Sequence, residues 1–185
     1  ALLFSAIAGY DARDPFGIAG DVPDVVAACE QSVEGMRIAW SPTLGYAKPD
    51  AEVVEIVEAA VRKFEDAGAH VEQVDDVFAE DPADLWSAEF YAGVGIKLRA
   101  VLENQRDMLD PAVADILEPA LGQEMRDYYT KVFERYVLRD RMTAMFEKYD
   151  ALISPVLPVS SVDAGVNVPP GHEDRNLVSW VYYTY

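Results

Sequence analysis

The sequence from Gly35 to Val74 reads GMRIAWSPTLGYAKPDAEVVEIVEAAVRKFEDAGAHVEQV. Residues 36–41 form a short, mostly apolar run between a glycine and a proline, as is typical of strands, and residues 70–74 form a second, more polar run that is also predicted to be a strand. Between the two runs, apolar side chains recur at steps of three and four residues, which indicates a helix with one apolar face: Val53, Val54, Val57, Ala60, Val61 and Phe64. Residues 36–74 are therefore predicted to form a βαβ unit. Its two strands are expected to run parallel, because such units normally make a right-handed crossover.

Both ends of the predicted helix carry terminating signals. Asp50 follows Pro49, and a carboxylate at this position can accept hydrogen bonds from the free N–H groups of the first helical turn. Gly68 stands after the last periodic residue, where glycine commonly ends a helix. We therefore expect Asp50 to cap this helix through its side chain and Gly68 to end it.

Helical patterns fill the next part of the chain, about residues 82–149, which we describe as the predicted helical cap. Residues 82–104 place these apolar side chains on the buried side of a helix: Leu85, Trp86, Phe90, Val94, Leu98 and Leu102. Asp110 and Pro111 are predicted to open the following helix, because proline is favoured at the first helical position. Residues 124–149 have the pattern of one long helix.

The remaining residues, 151–185, combine a strand with a long irregular segment. Ala151–Ser154 is a short apolar run that Pro155 ends. Residues 154–176 are rich in proline and glycine, and irregular segments of this length in compact domains are often functional. Strands that alternate with helices place the chain in the α/β class, with a mixed, mostly parallel sheet flanked by helices.

Composition excludes several classes of partner. The chain has 185 residues, 33 of them Asp or Glu and 15 Lys or Arg, for a formal net charge of −18. Nucleic acid binding needs a basic surface that this excess of carboxylates does not allow, and anionic membranes are repelled for the same reason. No apolar stretch reaches the ~20 residues that span a bilayer. Cys29, the single cysteine, has no internal disulfide partner, which predicts a cytoplasmic protein.

Both ends of the sequence are unusually apolar. Residues 1–8 resemble the last turns of a buried helix that Gly9 ends, and residues 177–185 are mostly apolar and aromatic. Chain ends are normally polar and frayed. We therefore expect the chain to be part of a larger protein, and expect its apolar surface to promote association, with a homodimer as one possible form.

The residues alone contain no catalytic constellation. No glycine-rich phosphate loop is present, and His70 and His172 are far apart with no third ligand nearby, so neither a cofactor nor a metal is predicted. Ser160 and Ser161 form the most conspicuous serine pair, but no lysine or histidine stands beside them to activate a hydroxyl.

Five segments, read in order, resemble the amidase signature family. Residues 7–15, IAGYDARDP, are similar to the family's IAGYDPRDP, with Ala12 in place of proline. Residues 35–42 resemble GLRIAWSP, and residues 64–71 resemble FEELGAHV. Residues 146–155, FEKYDALISP, and 180–185, WVYYTY, resemble the family's FERYDLLLTP and the start of its WTPFTYPFN. The matches extend over nearly the whole chain.

The resemblance implies a hydrolase of small-molecule amides. The family uses a Ser-cis-Ser-Lys triad on a large mixed sheet, and cleaves the amide C–N bond through a serine acyl-enzyme. Its triad residues come from segments upstream of the helix in which this chain begins, so no catalytic residue is assigned here. Residues 1–185 would then form a partial amidase-signature domain that supplies scaffold, the helical cap and part of the substrate pocket, and that is inactive alone.

The same resemblance selects candidate substrate contacts and leaves alternatives open. Trp180, Tyr183 and Thr184, on the last segment, are predicted to bind substrate. One branch of the family is the A-type subunit of a tRNA-dependent amidotransferase, which holds glutamine with an arginine before its long cap helix. Residues 109–115 contain no basic residue here, which favours a stand-alone amidase. A non-catalytic binding or scaffold module is the third interpretation.

Overall fold

The computed structural model describes residues 1–185, which form two compact units, residues 1–34 and residues 35–185. The first unit contains helix α1, Leu2–Ile7, and helix α2, Val25–Ala28. The helix predicted at the start of the sequence is present, and within residues 1–185 it is not buried, since Leu2 is 79% exposed. Two helices of six and four residues are too short to enclose a core.

The second unit is built on a three-stranded parallel sheet. The strands are β1, Arg37–Trp40, β2, His70–Gln73, and β3, Ala151–Ile153, and they lie in the order β2-β1-β3. Ile38 pairs with Val71 on one side of β1 and with Ala151 on the other. The predicted strands and their parallel direction are confirmed, and β1 lies in the centre of the sheet.

Helix α3, Ala51–Asp66, connects β1 to β2, and its buried residue is Val61. The predicted side-chain cap at Asp50 is wrong: its carboxylate accepts no hydrogen bond from the helix. Its backbone N–H instead donates to the carbonyl of Pro158 at 2.8 Å, and its side chain is exposed. A long-range backbone hydrogen bond therefore fixes the start of α3, and the Asp50 carboxylate is exposed to solvent. Gly68 follows the helix with φ of +92°.

The helical layer follows β2 and lies within the predicted cap. Its elements are, in order, α4, Ala83–Phe90, a π-helical turn, Tyr91–Gly95, α5, Ile96–Asn104, a 3-10 turn, Arg106–Met108, α6, Pro111–Leu117, a second 3-10 turn, Glu118–Gly122, and α7, Met125–Phe146. The predicted opening of a helix at Asp110 and Pro111 is confirmed, and the structure adds a side-chain cap, since the Asp110 carboxylate accepts from the backbone N–H groups of Ala112 and Val113.

The core of the helical layer lies between α5 and α6, where Leu102, Ala114 and Leu117 are buried. The predicted burial of Val94 is wrong, because this residue is 36% exposed. A π turn holds one more residue than an α turn, so the buried face moves by one position. Gly95 is buried instead, and a Cβ atom there would overlap the Cβ of Ala120.

Residues 154–185 follow β3 without any helix or strand, as predicted for residues 154–176. Pro155, Pro158 and Pro169 are nevertheless buried, so this segment is packed onto the rest of the unit. No helix in the structure combines the length and the apolar composition needed to cross a lipid bilayer. The architecture is an α/β fold with a parallel sheet and a helix-rich layer, in agreement with the predicted class.

Candidate functional site

A cleft of about 420 Å³ opens between the turn after β1, helices α4 and α7, and the last residues of the chain. Six aromatic residues line it, and we call it the aromatic cleft: Tyr46, Phe78, Trp86, Tyr182, Tyr183 and Tyr185. Its other apolar walls are Leu44, Pro82, Leu85, Leu138 and Met142. The volume falls within the range of small-molecule sites, which are mostly apolar with a few polar groups.

The tyrosine hydroxyls of the cleft hold its walls together. Tyr46 Oη donates to the carbonyl of Tyr182 at 2.7 Å, and Tyr183 Oη donates to the carbonyl of Pro42 at 2.6 Å. Tyr185 Oη donates to the carbonyl of Ser179. Burial raises the pKa of Tyr46, Tyr183 and Tyr185 above the usual value near 10, so all three stay neutral. With their hydroxyls engaged, these three tyrosines offer a ligand ring surfaces rather than free donors.

Two non-glycine residues of the cleft have left-handed backbone conformations. Leu44 has φ of 52° and Tyr182 has φ of 49°, and both are buried. Such conformations cost on the order of 1–3 kcal/mol each and persist where surrounding contacts impose them. Gly45 follows Leu44 with φ of +95°, and a Cβ there would collide with the backbone carbonyl of Phe78. Close backbone approach therefore shapes this side of the cleft.

An ion pair joins the last segment of the chain to the start of α4. Arg175 Nη1 lies 2.5 Å from Asp81 Oδ2, and their side chains are only 17% and 22% exposed. No donor is aligned for a hydrogen bond to that oxygen, so charge attraction holds the contact. Asp81 Oδ1 accepts from the backbone N–H of Ala83 at 2.9 Å. The Arg175 guanidinium carbon also lies 4.5 Å from the centre of the Tyr182 ring, a cation–π distance.

Charged groups stand at one side of the aromatic cleft. Glu89 of α4 forms an ion pair with Arg135 of α7, and Arg139 of α7 also contributes to the lining. The lining thus includes two basic residues and one acidic residue, although the chain as a whole has an excess of carboxylates. No group of three His, Cys, Asp or Glu side chains is arranged to hold a metal ion.

The predicted substrate contacts lie on the segment that forms one wall of the cleft. Tyr183 lines the cleft, whereas Trp180 is half-buried outside the lining and Thr184 is exposed. Tyr182 and Tyr185 of the same segment also line the cleft, and the remaining aromatic residues come from separate stretches around residues 46, 78 and 86. Their spacing contains no local pattern, so only the fold brings them together.

Neither Ser160 nor Ser161, the serine pair of the sequence, is placed as a nucleophile. Ser160 and Ser161 are exposed and line a surface groove with Asp50 and Asp163 but with no lysine or histidine. The hydroxyl of Ser154 donates to the carbonyl of Pro155 at 3.1 Å. A serine without an adjacent base stays a poor nucleophile. What these 185 residues provide is a shaped apolar wall.

The Amidase family profile matches residues 1–184. The chain belongs to the amidase signature family. An acylamidase of Rhodococcus erythropolis is 30% identical over 191 residues, which cover all of this chain and 40% of that protein. The A-type subunit of a glutamyl-tRNA(Gln) amidotransferase from Caldanaerobacter subterraneus is 24% identical, covering 89% of this chain and 39% of that protein.

A solved structure confirms the fold of this amidase-family chain. A bacterial aryl acylamidase of the amidase signature family superimposes with a TM-score of 0.77 at 20% identity, covering 95% of this chain and 38% of that one. At this identity the likeness establishes the fold alone. The chain spans about 40% of the length of the curated relatives it matches.

Proposed function

We propose that the protein hydrolyses carboxylic amides, and that these 185 residues supply scaffold and one wall of its substrate pocket. The observation that carries this proposal is the aromatic cleft, an apolar site of about 420 Å³ in a chain of the amidase signature family. The catalytic serines and lysine would lie outside residues 1–185, which match only about two-fifths of the relatives' length.

The reaction requires groups that this chain does not arrange. A serine Oγ attacks the carbonyl carbon and forms an ester while the C–N bond breaks, and the nitrogen leaves as an amine or ammonia after it takes up a proton. Water then attacks the ester carbonyl, which releases the carboxylic acid and restores the serine hydroxyl. Residues 1–185 would contribute by binding and orienting the substrate, a contribution that raises the rate by holding the carbonyl near the nucleophile.

The lining of the cleft supports an aromatic or bulky apolar substituent on the substrate. Six ring systems surround the space, and the hydroxyls of Tyr46, Tyr183 and Tyr185 are already engaged. Aromatic pairs in offset or edge-to-face arrangements add about 0.5–1.5 kcal/mol beyond simple burial. Tyr183 is the proposed direct contact, and Trp180 and Thr184 remain proposed contacts from the same segment.

The location and partners of the protein are also proposals. The substrate would be a small-molecule amide, with no nucleic acid or membrane partner, because a chain with this net negative charge repels both polyanions and anionic lipids. A single cysteine, Cys29, supports a cytoplasmic location, where disulfides are rare. A homodimer would bury some of the exposed apolar side chains.

The amidotransferase subunit is the second candidate, and the match to the subunit of Caldanaerobacter subterraneus favours it. Against it, residues 109–115 contain no basic residue for a glutamine carboxylate. The nearby Arg106 already pairs with Asp115 and Glu118. Glutamine hydrolysis that depends on a partner subunit would support this candidate over the stand-alone amidase. Ligand binding without any hydrolysis would favour the scaffold module.

The test compares the complete product of the natural gene with residues 1–185 alone. Both are incubated with benzamide, propionamide and glutamine, and the ammonia released is measured. We expect hydrolysis of benzamide or propionamide by the complete product and none by residues 1–185. Absence of hydrolysis by the complete product would overturn the proposed activity. Hydrolysis by residues 1–185 that survives repurification would contradict the placement of the nucleophile outside this chain.

A substitution in the cleft tests the role of the wall. Tyr183→Ala in the complete product removes a ring from the lining, and we expect KM for benzamide to rise by about two- to tenfold, since one lost aromatic contact is worth about 0.5–1.5 kcal/mol. KM for propionamide should change less. Tyr10→Ala, at a residue that is 58% exposed in the first unit, is the matched control and should leave both constants unchanged.

A further inference from the structure

Helix α7 exposes an aromatic stripe on the side opposite to the aromatic cleft. Tyr129, Phe133 and Tyr136 are 48%, 60% and 52% exposed and follow one another at steps of four and three residues. Their ring centres are 5.9 Å and 6.4 Å apart. Val137, 62% exposed, lies next to them, and we call these four residues the outer stripe. Soluble proteins seldom leave such a contiguous apolar row without a partner.

The packing of α7 fixes the direction of the outer stripe. Arg135 pairs with Glu89 of α4, and Leu138 and Met142 line the aromatic cleft. At 100° per residue, Leu138 lies about half a turn around the helix from Tyr129. No residue of α7 is fully buried, and its 22 residues extend over about 33 Å. The outer stripe therefore lies on one face of a long helix whose opposite face contacts α4 and lines the aromatic cleft.

The charges around the outer stripe are self-complementary. Arg126 and Asp127 precede it, and Arg139 and Asp140 follow it. Phe133 is seven residues from both Arg126 and Asp140, and six from both Asp127 and Arg139. In an antiparallel pair of α7 helices centred on Phe133, Arg126 of one helix therefore lies opposite Asp140 of the other. Asp127 lies opposite Arg139 in the same way. Fourteen residues make close to four turns, so Arg126 and Asp140 lie on the same side of α7 as the stripe.

We propose that the outer stripe is a two-fold interface between two copies of this protein. Two α7 helices would pack antiparallel, with Phe133 against Phe133 of the second copy and Tyr129 against its Val137. Arg126 of each copy would face Asp140 of the other. A two-fold interface is isologous, meaning that one surface must complement itself, and the reversed charge order of α7 meets that condition.

The electrostatics of the whole chain favour α7 as the contact. Two copies with a net charge of −18 repel each other over most of their surface. Helix α7 differs, since it has five basic and three acidic residues. Arg126 now lies 3.4 Å from Asp127, with its side chain 81% exposed, and Asp140 pairs with Arg139. Such exposed neighbouring pairs are weak, so exchanging them for contacts between copies costs little.

The experiment uses the complete product of the natural gene and charge reversals at the two proposed partners. The dimer dissociation constant is measured by sedimentation for wild type, Arg126→Asp, Asp140→Arg and the double variant. Because a two-fold interface contains each contact two times, each single reversal creates two pairs of like charges. We therefore expect the dimer dissociation constant to rise at least tenfold. The double variant restores both pairs and should return to within threefold of wild type.

Controls separate the interface from general charge effects. Reversal of Arg99 and Glu103, an exposed pair on α5, should leave dimerisation unchanged. Phe133→Cys in a Cys29→Ser background should form a disulfide between copies on mild oxidation, because the two-fold axis passes through this residue. Circular dichroism confirms that each variant is folded. Neither measurement depends on amide hydrolysis, so the interface and the proposed activity fail separately.

Three results would overturn the proposal. The first is a wild-type protein that stays monomeric up to 100-fold above the concentration used for the assays. The second is a double variant whose dimer dissociation constant is no lower than that of either single variant. The third is a residue 133 thiol that neither cross-links nor reacts with a maleimide, which would mean that another part of the polypeptide or a different protein covers the outer stripe.

Discussion

The sheet and the last segment of the chain are held in place by different kinds of contact. In the sheet, β1 is bonded through its backbone to a strand on each side, and Ile38 and Ala39 are 1% and 0% exposed. Residues 171–185, which form a wall of the aromatic cleft, contain no helix or strand and depend on side-chain contacts. Loss of a buried side chain in the sheet is therefore expected to destabilise the whole second unit. Loss of one contact in the wall is expected to loosen the wall locally and to leave the sheet in place.

The largest expected effect is on the sheet itself. Ile38→Ala removes a nearly fully buried side chain from the central strand, and comparable substitutions cost about 2–5 kcal/mol. We expect the free energy of unfolding to fall by that amount across the whole second unit, as measured by urea denaturation. Ile56→Ala, at an α3 residue that is 64% exposed, is the control and should change it little. Equal losses for both would contradict the central role of β1.

A smaller and more local effect is expected at the Arg175–Asp81 pair. Arg175→Met keeps the length of the side chain but leaves the carboxylate of Asp81 without its counterion, at a cost of about 1–3 kcal/mol. Hydrogen exchange should accelerate in residues 171–185 and stay slow in β1. Arg13→Met is the control, since Arg13 pairs with Asp11 in full solvent. If hydrogen exchange accelerates as much in β1 as in residues 171–185, the two regions are not held independently.

Alkaline pH should weaken the wall through its tyrosines. Burial raises the pKa of Tyr46, Tyr183 and Tyr185, so above about pH 10 the unfolded chain releases protons that the folded chain keeps. Stability from these groups is complete below pH 10 and is lost as the pH rises further. The measurement is the urea midpoint at pH 8, 10 and 11, with phenolate absorbance at 295 nm. Full ionisation of all ten tyrosines before unfolding would disprove their burial.

The smallest expected effect is the loss of one hydroxyl. Tyr183→Phe keeps the ring but removes the hydrogen bond to the carbonyl of Pro42, which costs about 0.5–1.5 kcal/mol. We expect a small drop in the melting temperature and a KM for benzamide close to wild type, since the ring face is retained. Tyr129→Phe, on the outer stripe, removes a half-exposed hydroxyl and is the matched control. A KM change as large as that of Tyr183→Ala would mean that the hydroxyl contacts the substrate directly.

The local sequence pattern predicts the helices and strands but does not predict the aromatic cleft. The apolar runs and the three- and four-residue steps predicted β1, α3 and β2, because these signals arise within the elements themselves. Asp50 is predicted to cap α3 but accepts no hydrogen bond from it, and its backbone N–H instead donates to the carbonyl of Pro158. That bond joins residues more than a hundred positions apart, which no local rule can anticipate.

The cleft shows the same limit more strongly. Tyr183 was identified by family resemblance, but Tyr46 and Trp86 join it only because the turn after β1 and helix α4 meet the last segment. The sequence predicts one long helix over residues 124–149. It does not predict the exposure of the outer stripe, because the apolar residues of α7 are divided between two opposite faces of the helix.

The π turn at Tyr91–Gly95 joins α4 and α5 into one continuous stretch of helix and shifts the sequence positions that face the core by one residue. Before it, Leu85 and Trp86 of α4 point into the aromatic cleft, and after it, Leu98 and Leu102 of α5 point into the core around α6. Phe90, which precedes the turn, packs against that same core and stacks on Trp86 at 4.9 Å, so the aromatic cleft and the core are adjoining apolar interiors. A π turn accommodates one more residue than an α turn in nearly the same rotation, so Leu98 and Leu102 stay on the same side as Phe90 although the sequence spacing of the buried residues shifts by one position.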